Sequence, residues 1–274
     1  MRLDKFLSDM RFGTRSEMRK AVREGRVTVD GVRVKDPGST VMPKSLVVLD
    51  GEPVTYRGFE YILMNKPAGV LSATEDPHQT TVLGLLGPGT RRDLAPAGRL
   101  DKDAEGLLLL TNDGALIHSL LSPSKHVPKV YYVRLSRPVT DGDVRTFAEG
   151  MSVPEDETAG NARGRAAFTA KPAKLVPLNG PGERPDRADS GKEIRELSPN
   201  ESLKAPDGGF YEASVEITEG HYHQVKRMFA AAGNQVLYLK RIAMGPLRLD
   251  EDLPPGKYRH LTEEEINGLR INGA

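Results

Sequence analysis

One stretch constrains this chain more than any other: Gly98 to Gly114, GRLDKDAEGLLLLTNDG. Four leucines, Leu107 to Leu110, stand between Gly106 and the breaker triplet Asn112-Asp113-Gly114. A short apolar run between breakers predicts a strand buried on both faces. Such a strand is a stiff mount. The charged loop before it carries Asp101, Asp103 and Glu105, with Arg99 two residues ahead of Asp101. Polar groups at the end of a buried strand are where sites are built.

Three readings of this loop compete on the residues alone. Asp101, Asp103, Glu105 and Gly106 match the opening of a calcium-binding EF-hand loop, but the twelfth position is Asn112 instead of a bidentate glutamate. The preceding segment also holds Pro96 and Gly98 instead of a helix, so calcium is disfavoured. Composition by itself favours a solvated acidic turn. The third reading is a reactive carboxylate, Asp101, positioned beside a cation.

With 274 residues the chain can hold one large domain and a small one. It has no cysteine, which excludes disulfides, cysteine zinc sites and a thiol nucleophile, and fits a reducing cytoplasm. No apolar run approaches the ~18 residues of a membrane span. The N-terminus, MRLDKFLSDM, carries acids and lacks a long apolar core, so no signal peptide is expected. The net charge is +1, but residues 1–50 hold 11 Lys/Arg against 7 Asp/Glu. The basic excess is therefore local to the N-terminus.

Leu3, Phe6, Leu7 and Met10 recur at helical spacing, and Gly13 breaks the run. Thr14 and Glu17 form a capping box that opens a second helix, with Met18 and Val22 on its inner side. Arg15, Arg19 and Arg23 line up at i, i+4 and i+8. Gly25 stops the helix, and Val27 to Val34 around Asp30-Gly31 predicts a hairpin. Residues 51–60, GEPVTYRGFE, predict a linker. A strand from Tyr61 ends in Asn65-Lys66-Pro67-Ala68-Gly69. A helix over Leu116 to Leu121 closes at Pro123, and alternation marks strands at Lys129 to Val133 and Ala213 to Ile217. Residues 154–209 are rich in Pro, Gly and charge, and about 177–209 suits a flexible excursion. Val225, Met228, Phe229 and Ala232 make one face of a late helix ending at Gly233. His221 and His223 ahead of it invite a metal reading, but no third ligand follows at metal spacing.

The central stretch resembles the catalytic motif of the pseudouridine synthases, in the RsuA/RluB branch that modifies ribosomal RNA. There the pattern is G-R-L-D, two variable residues, Thr or Ser, one more, then G-L-L-L-L-T and a D/N-G turn. Asp101 falls on the essential aspartate and Arg99 on the arginine of that motif; Ala104 departs from the usual Thr or Ser. Residues 65–69 resemble the family's N-K-P-x-G opening, 129–131 its K-x-Y motif, and 219–228 its E-G-x-Y-H-Q-V-R/K-R-M motif. Residues 1–48 resemble the S4 RNA-binding domain.

The resemblance implies an α+β protein: an S4 domain (1–50), a linker (51–60), and a catalytic domain (61–274) with a mixed, mainly antiparallel sheet and a central cleft. It implies isomerisation of uridine to pseudouridine in ribosomal RNA. Asp101 would be the essential carboxylate, Lys226 its cation, and Tyr131 a ring stacking on the uracil. Arg99 would fill the gap left by the flipped base. Arg2, Lys5, Arg15, Arg19 and Lys20 would bind RNA phosphates from the S4 domain, and Lys66 and Arg227 would add to that surface. Reactant and product are isomers, so no cofactor and no metal are implied. The late helix and short tail resemble the type acting on small-subunit 16S rRNA, the alternative being large-subunit 23S rRNA. The partner is ribosomal RNA or an assembling subunit, met by a cytoplasmic monomer with no membrane. Two other classes stay open: a non-catalytic RNA-binding or ribosome-assembly protein, and an acid–base hydrolase built on Asp101 and Asp103.

Overall fold

The computed structural model describes residues 1–42, 44–56, 58–156, 166–178 and 210–273. The N-terminal unit comprises α1 (Leu3–Asp9), α2 (Arg15–Arg23), β1 (Val27–Val29), β2 (Val32–Arg33), β3 (Val47–Leu49) and β4 (Glu52–Val54). The capping box forms as its spacing predicts: the Glu17 amide donates to Thr14 Oγ1 at 3.3 Å, and the Thr14 amide to Glu17 Oε2 at 2.7 Å. Asp30 and Gly31 turn the hairpin with φ of 52° and 82°, the left-handed pair a two-residue turn needs. The strands pair in the order β2-β1-β3-β4, and both helices pack on them through Leu3, Phe6, Leu7, Met10, Met18 and Val22.

The linker prediction needs correction. Residues 52–54 form β4, pair with β3, and bury Val54 in the small domain's core. The Gly and Pro that suggest a linker serve a tight Asp50-Gly51 turn and an edge strand instead. Nor does the small domain hang free. The Gly89 and Arg92 amides donate to the Met10 and Asp9 carbonyls at 2.9 and 2.8 Å. Arg11 donates from Nε to the Arg91 carbonyl and from Nη1 to the Leu83 carbonyl, at 3.1 and 3.0 Å. Arg92 returns a hydrogen bond to the Gly13 carbonyl at 2.7 Å.

The large domain is built on one sheet whose path runs through β11 (Lys174–Pro177), β12 (Tyr211–Ile217), β8 (Lys129–Leu135), β13 (Val236–Met244), β7 (Glu105–Thr111), β5 (Tyr61–Lys66) and β15 (Tyr258–His260). Short β6 (Ala95–Pro96) and β14 (Leu247–Arg248) pair with β7 and β13. Every pairing is antiparallel except β7 with β13. Strand β7 is buried at all its positions, as its leucine run predicts. Leu108 and Leu110 face one core, which α4 (Asp141–Glu149) and α5 (Gln224–Ala231) cover through Phe147 and Phe229. Leu107 and Leu109 face a second core under α3 (Gly114–Leu121) and α6 (Glu263–Gly273). A two-stranded ribbon, β9 (Met151–Val153) with β10 (Phe168–Ala170), lies beside α5.

The parallel crossing explains Gly106. A Cβ there would lie 2.2 Å from the Arg241 carbonyl oxygen, and its φ is +102°. Only glycine lets β7 and β13 approach so closely at the start of the strand. The expected excursion near 177–209 falls, from 179 onward, outside the described residues. No described helix is long and apolar enough to cross a membrane.

Candidate active site

The loop from Gly98 to Ala104 joins β6 to β7 and is held from beneath. Lys66, the last residue of β5, is fully buried. Its ammonium donates to the carbonyls of Pro67, Asp101, Lys102 and Ala104 at 3.1, 3.0, 3.3 and 2.8 Å. Burial pulls its pKa down to about 8, against the pull of Asp103, Asp101 and Glu105. The prediction that Lys66 belongs to the RNA-binding surface is therefore corrected: the side chain is an internal tie. Two further ties complete the cradle. Ser72 Oγ bridges the Leu100 amide and carbonyl at 3.0 and 2.9 Å, and the Gly69 amide donates to the Lys102 carbonyl at 2.7 Å. The Ala104 amide closes the turn onto the Asp101 carbonyl at 3.1 Å, and its methyl is buried in the core.

With the backbone fixed, the carboxylates face outward toward the start of α5. Asp101 Oδ1 lies 3.4 Å from His223 Nε2, and Asp101 Oδ2 lies 3.4 Å from Lys226 Nζ. The Asp101 side chain is 23 % exposed, reachable from solvent yet walled. Lys226 is shared. It donates to both oxygens of Asp103, at 2.6 and 2.8 Å, so the exposed Asp103 holds it more closely than Asp101 does. Sequence reasoning pairs Lys226 with Asp101 and names Asp103 only for a calcium loop or a hydrolase, not as a partner of Lys226.

The segment before α5 is shaped by its own polar residues. Glu219 Oε1 accepts from Gln224 Nε2 at 2.6 Å and from the Lys171 amide at 2.9 Å, while Gln224 Oε1 accepts from the His221 amide at 2.9 Å. This aims His223, in the left-handed conformation with φ of 50°, at Asp101 with its ring stacked on Tyr222. His221 turns the other way and stacks on Phe168 at 4.1 Å. Among the described residues, no group of three His, Cys, Asp or Glu side chains is placed to hold a metal.

Tyr131 lies on β8, with 8 % of its surface exposed, in the same core cluster as Leu100 and Ala104 on either side of Asp101. The neighbouring Lys129 is buried; burial and the charge of Arg241 pull its pKa down to about 8. Arg99 is exposed. Arg227, predicted as an RNA contact, is corrected: it is 8 % exposed, donates to the Pro154 and Ala166 carbonyls at 2.7 and 2.8 Å, and lies over the Phe168 ring. It fastens α5 to the β9–β10 ribbon. On the small domain, Lys5 and Lys20 form loose pairs with Asp9 and Glu24 at 3.9 and 3.8 Å. Arg2, Arg15 and Arg19 all converge on Asp4, which is fully buried.

Comparison with known proteins places the chain in a family. Residues 60–231 match the model of RNA pseudouridylate synthases, and residues 1–48 match the S4 domain. The chain belongs to the RNA pseudouridine synthase family. It is similar, at 44 % identity, to a Bacillus subtilis protein named uncharacterized RNA pseudouridine synthase YtzG, over 98 % of each chain. It is 37 % identical to ribosomal small subunit pseudouridine synthase A of Escherichia coli, over 97 % of this chain and 98 % of that one. A crystal structure of a pseudouridylate synthase aligns with a TM-score of 0.57 and 33 % identity, over 98 % of this chain and 99 % of that one. The architecture expected of a pseudouridine synthase with a leading S4 domain, a mixed and mostly antiparallel sheet, is the one observed.

Sequence reasoning names Asp103 and quotes Glu219 and Gln224 within a motif but misses what each of them holds in this synthase's site, and it gives Ser72 no role. Their signal is weak because each acts on backbone or on another side chain. A partial clue is present in the five-residue spacing of Glu219 and Gln224 across a glycine, which suits a polar loop tied to a helix start.

Proposed function

We propose that this pseudouridine synthase isomerises a specific uridine of small-subunit 16S rRNA, with Asp101 as its essential carboxylate. The observation that carries the reading is the setting of Asp101: a carboxylate on a backbone fixed by a buried lysine, with one cationic or ionisable group opposite each oxygen. Names borne by relatives of nearly full-length similarity support the choice of subunit.

In the reaction the bond from ribose C1′ to uracil N1 breaks, the base turns, and C5 bonds to C1′. N1 gains a proton and C5 loses one, so atoms and charge balance without an external reagent. Lys226 and His223, each 3.4 Å from one oxygen of Asp101, hold the carboxylate facing the cleft where the nucleotide would lie. Tyr131 offers a ring face for the uracil. Arg99 replaces the stacking lost when the nucleotide is extruded, a step costing a few kcal/mol. The S4 arginines supply salt-dependent phosphate affinity. The same reading assigns the enzyme to the cytoplasm, acting as a monomer on ribosomal RNA or an assembling subunit.

The test is tritium release from 5-tritiated uridine in transcripts of each rRNA. Release from the small-subunit transcript by wild type, lost in Asp101→Asn with RNA binding retained, is the expected result. Release from the large-subunit transcript alone would overturn the choice of subunit. Binding with no release from either would favour a non-catalytic RNA-binding protein.

A further inference from the structure

The small domain contains an inverted arrangement of charge. Asp4, on the first turn of α1, has a fully buried side chain. Three arginines converge on it. Arg2 gives it Nε and Nη2, both at 3.1 Å, while Arg15 and Arg19 on α2 each give only Nε, at 3.3 and 2.8 Å. All three arginine side chains stay about half exposed, at 51, 48 and 44 %. No described residue accepts a hydrogen bond from the Nη atoms of Arg15 or Arg19. Hydrogen bonds from Arg2, Arg19 and Arg15 hold the Asp4 carboxyl well below the usual carboxylate range, so it stays charged.

A free arginine stripe and an anchored one differ in chemistry. An arginine whose Nε is held keeps its two Nη groups aimed outward as a fixed fork, the shape that meets two phosphate oxygens. Fixing it beforehand removes the entropy of ordering a long side chain on binding. Helical spacing brings Arg15 and Arg19 side by side, and both give Nε to the same oxygen of Asp4, Oδ2.

We propose that Asp4 is a positioning residue for RNA binding: it grips the inner edges of Arg2, Arg15 and Arg19 so that the Nη forks of Arg15 and Arg19 are presented together to the RNA backbone. The proposal rests on the reading that this S4 surface meets RNA. It makes a prediction opposite to simple charge counting. Removing Asp4's negative charge makes the surface more positive, yet RNA binding weakens.

The test uses the full-length protein and a small-subunit rRNA transcript, with filter binding across a range of potassium chloride concentrations. Asp4→Asn is expected to weaken binding about tenfold and to flatten the slope of log affinity against log salt, by roughly 0.7–0.9 for each phosphate that is no longer neutralised. In an Arg15→Ala/Arg19→Ala background the same substitution is expected to cost nothing further. Arg19→Lys serves if Asp4→Asn does not fold. A lysine keeps the charge but cannot both hold Asp4 and present a fork, so it is expected to lose about tenfold in affinity. Arg23→Lys, an exposed neighbour away from Asp4, is expected to stay within about twofold.

A folded Asp4→Asn that binds as well as wild type or better, or an Arg19→Lys that behaves like Arg23→Lys, would overturn the role of Asp4. Wild-type binding by the Arg15→Ala/Arg19→Ala protein would instead remove the premise that this surface meets RNA, a different and separable failure.

Discussion

Each of the two domains buries a charged side chain completely and uses it to arrange groups around it, but the signs and the purposes are opposite. In the small domain the buried charge is the carboxylate of Asp4, and it arranges three cationic side chains at the surface. In the large domain it is the ammonium of Lys66, and it arranges four backbone carbonyls. One region displays cations and the other displays carboxylates, Asp101 and Asp103, over a hidden cation. A desolvated charge is a poor source of stability, since burial offsets most of what its partners return. Its value here is geometric. Each fixes the direction of groups that act at the surface.

The comparison breaks most visibly at Lys66. Lys66→Met leaves three carbonyls of the Asp101 loop, and that of Pro67, without their donor and is expected to lower unfolding free energy by about 3 kcal/mol. Isomerisation is expected to fall with it by well over tenfold, because a small misplacement of a reacting group is costly. Denaturant unfolding and tritium release measure the two effects. A variant of near wild-type stability and rate would show that the loop holds itself.

Lys66 also carries a pH signature. Its folded pKa, about 8, lies below its ordinary value of 10.5. Between those values the unfolded chain binds the proton more fully, so this group's contribution to stability rises with pH. Wild type is therefore expected to gain on Lys66→Met as pH rises from about 8 toward 10. Unfolding curves of the pair across that range check it, and a constant difference would contradict the burial argument.

A smaller effect sharpens the contrast between domains by testing how firmly they are joined. Arg11 is a non-glycine residue at φ of 58° that ties two carbonyls of the large domain. Arg11→Ala is expected to remove about 1–2 kcal/mol of coupling. Calorimetry would then show the small domain melting ahead of the large one. A single unchanged transition would mean that the backbone hydrogen bonds at Gly89 and Arg92 suffice.

The smallest expected change is at Asp103. Its pair with Lys226 is exposed, so Asp103→Asn is expected to alter stability by under about 0.5 kcal/mol. Its effect is positional: Lys226, no longer held by a second carboxylate, closes on Asp101 from 3.4 Å to hydrogen-bonding distance. A crystal structure of the variant reads that distance directly, and an unmoved Lys226 would show that helix α5 alone sets it.

Much of this architecture is legible in the sequence where local chemistry decides. The Thr14–Glu17 box, the Asp30-Gly31 turn and the leucine run of β7 announce themselves because spacing and breakers are properties of neighbours in the chain. Asp101 is legible through its resemblance to a family motif, and the structure sets it beside Lys226 and His223. What sequence reasoning misassigns are cations. Lys66 and Arg227 look like surface charges, yet their partners include carbonyls 35 and 73 residues away, which no local pattern reveals. The same holds for Asp4, whose partners at Arg15 and Arg19 meet it only once α1 and α2 pack. Residues 52–54 read as linker because Gly51 and Pro53 are common to linkers and edge turns alike.

The central claim is that Asp101 on its lysine-held loop isomerises a uridine of small-subunit rRNA. Mapping pseudouridine in rRNA by carbodiimide labelling and primer extension, in cells with and without the gene, tests it most directly. The account predicts loss of one small-subunit pseudouridine, restored by wild type and not by Asp101→Asn. Restoration by Asp101→Asn, or no change at any small-subunit site, would contradict it.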